Sequence, residues 1–252
     1  MGFYDKSKIE RDKIINDMAH DIARDIEENS DQALQKYAAS PDTYIRKHCY
    51  LIIGKLYQEK PTLRDTILLR LFNLSKNENE RIRQTCTYAL GEIGKTTAEP
   101  ALKALEAALD DPHHSVRNAV IGALKQLGQK NPAPVLQFAQ KLLHHPDAEI
   151  RRQIVHGIEL RGRTHPEEVL PLLAELQFDE NRRVAETIVH VLGQISYKKN
   201  CLEKVVAHLK TWQNAELVEK ALNEILETHT LYGRFSAKSY REAREYIKRA
   251  FS

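Results

Sequence analysis

Three sets of residues in this chain carry side chains able to do chemistry: the thiols Cys49, Cys86 and Cys201, the imidazole pairs His113-His114 and His144-His145, and the arginines Arg46, Arg83, Arg117 and Arg151. The thiols are too few and too scattered for a disulfide framework, so they read as reduced cysteines. Imidazoles bind zinc or nickel, but no carboxylate or thiol stands at ligand spacing from either pair, and no H-E-x-x-H or C-x-x-C occurs. The pairs are expected to be exposed polar turns. No G-x-S-x-G, phosphate-binding glycine loop or dinucleotide fingerprint is present. The chain is therefore expected to be no enzyme and to carry no metal and no cofactor.

The arginines mark a repeat. Pro41-Asp42-Thr43-Tyr44-Ile45-Arg46 returns as Glu78 to Arg83, Pro112 to Arg117 and Pro146 to Arg151, with a fifth copy at Glu180 to Ala185 that lacks the arginine. The anchors Ile45, Ile82, Val116, Ile150 and Val184 lie 37, 34, 34 and 34 residues apart, and a weaker sixth copy sits near Leu217 and Val218. Each anchor starts an amphipathic pattern with apolar positions at offsets 0, 4, 7, 8 and 11, one face of a helix. Asp42, Asn79, Asp147 and Asn181 precede the anchors by three residues and suit N-caps. Gly94, Gly128 and Gly162 follow by twelve and suit the left-handed residue that ends a helix.

The rest of each repeat predicts a second helix, with stripes such as Val169, Leu172, Leu173 and Leu176. Thr96 with Glu99, Thr164 with Glu167 and Asn200 with Glu203 have capping-box spacing at the starts of these helices. A helix of this length with one apolar face cannot bury it alone, so the pairs must stack on one another. Ser7 to Glu28 predicts an amino-terminal capping helix with the stripe Ile15, Met18, Ile22 and Ile26. Ser239 with Glu242 opens a last helix, with Tyr240, Ala243, Ile247 and Phe251 on its apolar side.

Composition agrees with a folded, helix-rich protein and excludes disorder: 252 residues, 42% hydrophobic, with only 10 Gly and 9 Pro. Lys+Arg number 38 against 35 Asp+Glu, a formal charge of +3 that implies no strong global field. No apolar run approaches the ~18 residues of a membrane span. Met1 to Lys8 is charged rather than signal-like, and Lys6 stands where a myristoylation site wants Ser or Thr. The expected setting is cytoplasmic, away from membranes.

The pattern P-D-x-x-[IV]-R, followed by aliphatic residues and Leu-Gly or Ile-Gly, resembles HEAT repeats over roughly Ala33 to Glu227, especially the short bacterial HEAT-like type, including that of phycobilin lyases. The tetratricopeptide and ankyrin signatures are missing. The resemblance implies an all-α, right-handed α-α superhelix of about six helix pairs, forming a single domain over 1–252: a capping helix in 1–29, repeats in 30–230 and a second cap in 231–252. It also implies that the anchor-led helices line the concave side. The HEAT-type iron hydroxylases carry His-Glu dipeptides, and this sequence has none.

Within that architecture the arginines Arg46, Arg83, Arg117 and Arg151 are expected to form a structural ladder, each guanidinium meeting a carboxylate or carbonyl of an adjacent repeat's turn. An anion-binding row is the alternative. Offsets 2, 6 and 9 share the outward face of the anchor helices, which gives Lys47, Tyr88, Arg152, His156, Glu186 and His190 as candidate binding residues. The expected function is a non-catalytic scaffold that holds a protein or peptide partner along this face, which should form its concave surface. The alternatives are a nucleic-acid-binding protein like the HEAT-like DNA glycosylases, or an accessory lyase or chaperone subunit. Glycosylases of that type use tryptophan-rich clefts, and this chain has only Trp212. Residues 231–252 add a basic stripe of Arg241, Arg244 and Lys248 near Tyr232, Phe235 and Tyr240, which suits a capping helix or a nucleic-acid contact.

Overall fold

The computed structural model describes residues 2–252, all helical or connecting, with no strand among them. The chain divides into two compact units, one ending at Asn131 and the other spanning Pro132–Ser252. In the first unit α1 (Lys8–Glu27) precedes three helix pairs: α2 (Gln32–Ala38) with α3 (Thr43–Glu59), α4 (Arg64–Leu74) with α5 (Glu80–Gly94), and α6 (Ala98–Ala108) with α7 (His114–Lys130). The second unit pairs α8 (Pro132–Leu142) with α9 (Ala148–Gly157) and its short continuation α10 (Glu159–Gly162), then α11 (Pro166–Glu175) with α12 (Arg182–Ser196), and α13 (Leu202–Leu209) with α14 (Ala215–Leu231). It ends with α15 (Tyr240–Phe251). Among the described residues, no helix is long and apolar enough to cross a membrane.

The anchor-led helices start where the sequence places their caps. Asp42, Asn79, Asp147 and Asn181 accept the N–H two residues on at 2.8, 2.9, 2.8 and 3.0 Å, and His113 does the same through Nδ1. Within each unit these helices stack on one another: α5 lies between α3 and α7, and α12 between α9 and α14. The anchors Ile82, Val116, Ile150 and Val184 are buried, and so are Cys49, Cys86, Val120, Ile154 and Ile188 four residues further on. Arg161 takes an otherwise apolar offset and is satisfied there by a bidentate pair with Glu168 at 2.7 Å.

Both capping boxes at the chain ends form, Ser7 with Glu10 and Ser239 with Glu242. Met18, Ile22 and Ile26 of α1 are buried in contact with α2 and α3, with Ile15 half-buried at the margin. In α15 only Ala243 and Ile247 are buried; Tyr240 and Phe251 remain open. The three interior capping boxes are not made. α6, α11 and α13 start one residue later than expected, after Thr97, His165 and Cys201, none of which caps through its side chain. Asn200 is instead left-handed, at φ 63°.

The glycines after the anchors also differ from expectation, since no described glycine has a positive φ. Gly94 ends α5 and Gly162 ends α10, while Gly128 lies inside α7. What they supply is room. A Cβ on Gly94 would overlap Leu127 Cδ1, and one on Gly162 would overlap Ile195 Cδ1, each on the next anchor-led helix. At Gly91 the obstruction is backbone, because a Cβ there would stand 2.7 Å from Ala123 Cα.

The arginines follow one rule. Nη1 donates to the carbonyls six and five residues earlier: Ser40 and Pro41 for Arg46 (2.7 and 3.3 Å), Asn77 and Glu78 for Arg83 (2.8 and 2.9 Å), Asp111 and Pro112 for Arg117 (2.6 and 3.0 Å), and His145 and Pro146 for Arg151 (2.8 and 3.0 Å). Nε and Nη2 of Arg83 also grip Asp111 in the next turn at 2.7 and 2.9 Å, and those of Arg151 grip Asp179 at 2.6 and 2.9 Å. Each aspartate accepts a third bond from the N-cap N–H two residues on, His113 at 2.8 Å and Asn181 at 2.9 Å. Arg46 has no such carboxylate and reaches Gln84 Oε1 at 3.5 Å.

Burial alone would push the Asp111 and Asp179 carboxyls up, but the guanidinium and N–H donors outweigh it and hold both below the ordinary carboxylate value. The same pairing raises Arg83 and Arg151. A carboxyl with a lowered native pKa stabilises the fold in full above the unfolded value of about 3.9, and that contribution drains away as pH falls through the native value. Asp179→Asn should therefore lower stability at neutral pH by roughly 3 kcal/mol and flatten the loss of stability below about pH 4. Urea unfolding of both proteins between neutral and acid pH tests this, and equal acid slopes would refute it.

Gly91→Ala should destabilise the fold. Alanine gains about 1 kcal/mol of helix propensity, but its methyl would stand 2.7 Å from Ala123 Cα, and overpacking of that kind costs about 1–3 kcal/mol. The variant should unfold at lower urea than wild type; a stabilised variant would contradict the packing account.

Candidate binding surface

The outward faces of the anchor-led helices carry the six candidate residues, and the two units arrange their shares differently. In the first, Lys47 on α3 is exposed and Tyr88 on α5 is half-buried. The Tyr88 ring stacks on Tyr50 with centroids 5.1 Å apart and planes 28° from parallel. It also lies over Gly122, where a Cβ would meet Tyr88 Cε1 at 2.7 Å. Burial raises the Tyr88 hydroxyl pKa, with Arg46 pulling it back. The ring of this α5 residue thus packs against Tyr50 of α3 and Gly122 of α7.

In the second unit Arg152, His156, Glu186 and His190 come together, with Arg183 and Thr187, around a depression of about 230 Å³. Arg152 makes a bidentate pair with Glu149 at 2.9 and 2.6 Å, and Arg183 reaches the same carboxylate at 3.4 Å. Those hydrogen bonds, Arg152 foremost, hold Glu149 below its ordinary pKa. His156 Nε2 is 3.0 Å from Glu159 Oε2, and His190 Nδ1 is 3.6 Å from Glu224 Oε1. Burial pushes the Glu224 carboxyl up, partly offset by His190. Glu186 pairs with Arg182 at 2.6 Å on the exposed side of α12.

Beside this depression runs a larger groove, of about 660 Å³, between α12 and α14. Its floor is Ala185, Val189 and Leu217; its walls hold Asp179, Glu180, Glu186, Glu216 and Glu224 against only Arg182 and Lys220. Sequence reading did not find this groove, although its signal was present. Ala185 occupies the ladder position of the fifth repeat, so the volume an arginine fills elsewhere is open. The turn beyond is tied down differently: Gln177 Oε1 accepts the Gln213 N–H at 2.7 Å, and the Gln177 carbonyl accepts Asn214 Nδ2 at 2.6 Å.

The remaining sequence candidates have structural employment. His113 caps α7 and stacks on His114 at 4.7 Å; His145 Nδ1 accepts the Asp147 N–H at 3.1 Å; His144 pairs with Glu175 at 2.9 Å. The three thiols are unpaired and buried. Burial raises the pKa of each, Cys49 to about 12, so none supplies a thiolate at neutral pH. Trp212 is 8% exposed, and its Nε1 donates to His208 Nδ1 at 2.9 Å, so its ring is packed rather than set in a cleft. Arg241, Arg244 and Lys248 line an open hollow of α15 with Tyr240 and Glu245, and Arg241 already pairs with Glu245 at 3.1 Å.

Comparison with known proteins agrees with this architecture. The family profile described as HEAT repeats matches residues 30–125 and 135–225. Among solved structures the chain is similar to AlkD2 from Streptococcus mutans, at 16% identity over 88% of this chain and 100% of that one, with a TM-score of 0.55. It is also similar to smu.31 from Streptococcus mutans UA159, at 17% identity over 83% and 96% with a TM-score of 0.50. A designed armadillo repeat protein in complex with the peptide (KR)4 overlaps less, at 19% identity over 77% and 97% and a TM-score of 0.36. No curated protein sequence matches. At such identities the structural likeness is one of fold alone. The matched repeats span most of the chain, and their capped, arginine-tied helix pairs are those described above: the chain belongs to the HEAT-repeat family.

Proposed function

We propose that this protein is a non-catalytic repeat scaffold that docks a peptide segment of a partner protein on the anchor-helix face of its second unit, with a partner arginine entering the groove between α12 and α14. The observation that carries this reading is the missing rung at Ala185. In the four preceding repeats an intramolecular guanidinium sits over two turn carbonyls. The equivalent carbonyls of the fifth turn, on Asp179 and Glu180, accept no hydrogen bond from any described residue. Both residues line a groove with five carboxylates, of which Asp179, Glu186 and Glu216 are paired with Arg151, Arg182 and Lys220, leaving Glu180 and Glu224. A guanidinium from outside would find the same carbonyl pair that this fold satisfies from within elsewhere, with Glu180 and Glu224 beside it. Charge-assisted forks of that kind are the stronger hydrogen bonds in water-accessible sites.

Arg152, His156, Glu186 and His190 border the same face and would contact the flanking peptide. Tyr88 and Lys47 offer an aromatic plate and a cation on the first unit. Amphipathic rings held by packing make contact area at low entropic cost, because little side-chain freedom remains to be lost. The buried thiols and packed Trp212 favour a binding role over a catalytic one, and reduced cysteines suit a cytoplasmic setting.

The test is Ala185→Arg, which rebuilds the rung from within. It should keep or raise the urea midpoint while weakening binding of a fluorescein-labelled peptide carrying one arginine by about tenfold or more, read by anisotropy. The same peptide with citrulline should bind the wild type no better than it binds the variant. Equal binding of the arginine peptide to both proteins, or equal binding of the two peptides to wild type, would overturn the proposal.

A further inference from the structure

His156 and His190, placed above at the edge of the docking face, also form a cluster with Glu159 that a peptide contact does not account for. The nitrogen and oxygen atoms they offer all lie within 4.8 Å of one another. The two rings meet edge to face, with centroids 5.7 Å apart and planes at 87°. The Glu159 side chain is 3% exposed, whereas His156 and His190 are 28% and 46% exposed. A fixed carboxylate thus lies under two imidazoles that have room to turn.

We propose that these three side chains bind a divalent ion of the zinc class. Two neutral imidazoles and a carboxylate form a donor set that suits borderline ions such as Zn²⁺, Co²⁺ and Ni²⁺. Around a tetrahedral zinc with bonds of about 2.0–2.1 Å, ligand atoms stand roughly 3.3 Å apart. His156 Nε2 and Glu159 Oε2, at 3.0 Å, are already close to that separation. The widest pair must close by up to about 1.5 Å, and the His190 ring, the most exposed of the three side chains, has the most room to turn.

The surroundings orient these donors. Arg163 Nη2 donates to Glu159 Oε1 and, at 2.6 Å, to Gln194 Oε1, which pins the carboxylate, and Oε2 stands beside His156 Nε2. Glu224 lies 3.6 Å from His190 Nδ1, the outer-shell carboxylate that ligating histidines commonly have. Arg163 and Arg152 oppose a dication, whereas Glu224 and Glu186 favour one. The site is therefore expected to bind more weakly than a closed structural zinc centre and to leave its fourth position open.

Calorimetric titration of the chelator-treated full chain with Zn²⁺, and Co²⁺ titration followed by visible absorbance, test the proposal with metal alone and so independently of peptide docking. The expected result is one ion per chain with the intense absorbance of tetrahedral cobalt. His190→Ala and His156→Ala should each weaken binding by about tenfold or more, while His144→Ala/His145→Ala and His113→Ala/His114→Ala should not. His190 is exposed enough that its variant should fold, which an unchanged urea midpoint verifies. Absence of saturable binding, or binding that survives His190→Ala and vanishes with either turn-pair variant, would overturn it.

Discussion

In the first four repeats the turn between the helices presents two backbone carbonyls that no helix ladder satisfies, and the placing of the following helix depends on how they are covered. Bare carbonyls at a packed turn would cost as much as a lost hydrogen bond. A single guanidinium resolves the problem: its planar fork spans both acceptors with one nitrogen and leaves two more for the aspartate of the following turn. A lysine could not do this, since its point charge has no fork. Arginine is placed in the first helical turn against the local dipole, and the neighbouring carboxylate offsets that penalty. The rung fixes each helix start, and through Asp111 and Asp179 it sets the distance to the next start within the same unit.

Once the starts are fixed, the anchor-led helices must lie close enough to bury faces that are short and, by themselves, insufficient. Gly91 against Ala123 shows how close that is, since not even one methyl group fits between the backbones. Close approach has a consequence for the exposed side. Rings and long side chains at offsets 2 and 6 are brought within reach of their counterparts one repeat along, which is how Tyr88 comes to lie across Tyr50 and Gly122, and His156 beside His190. The outward face is thus a by-product of the core's geometry, with its chemistry set by which residue type each repeat places there.

Much of this was legible in the sequence, because the repeat presents the same physical constraint five times. The caps at Asp42, Asn79, Asp147 and Asn181, the buried offsets and both terminal capping boxes follow from local side-chain reach, which spacing reports directly. The errors arose where one residue type serves two physical needs. Gly94 and Gly162 fit a left-handed C-cap and a close contact equally well on paper, and only the facing Leu127 and Ile195 decide between them. Thr96, Thr164 and Asn200 had the right spacing to glutamate, but the helices start one residue later. At the candidate site, Arg152, His156, Glu186 and His190 were found by periodicity. Glu159 stands nine residues after Ile150, at an outward offset, yet lies buried beneath them, and the groove at Ala185 follows from a missing side chain whose emptied volume only the packed neighbours reveal.

The three sequestered thiols give the molecule internal timers. Cys49 and Cys86 sit in the core of the first unit and Cys201 in the second, all shielded and none bonded to another. An alkylating reagent can reach them only when the surrounding helices part, so the rate at which each is modified reads the local opening free energy around it. The units can therefore be timed separately in one sample, with no label added and no residue changed.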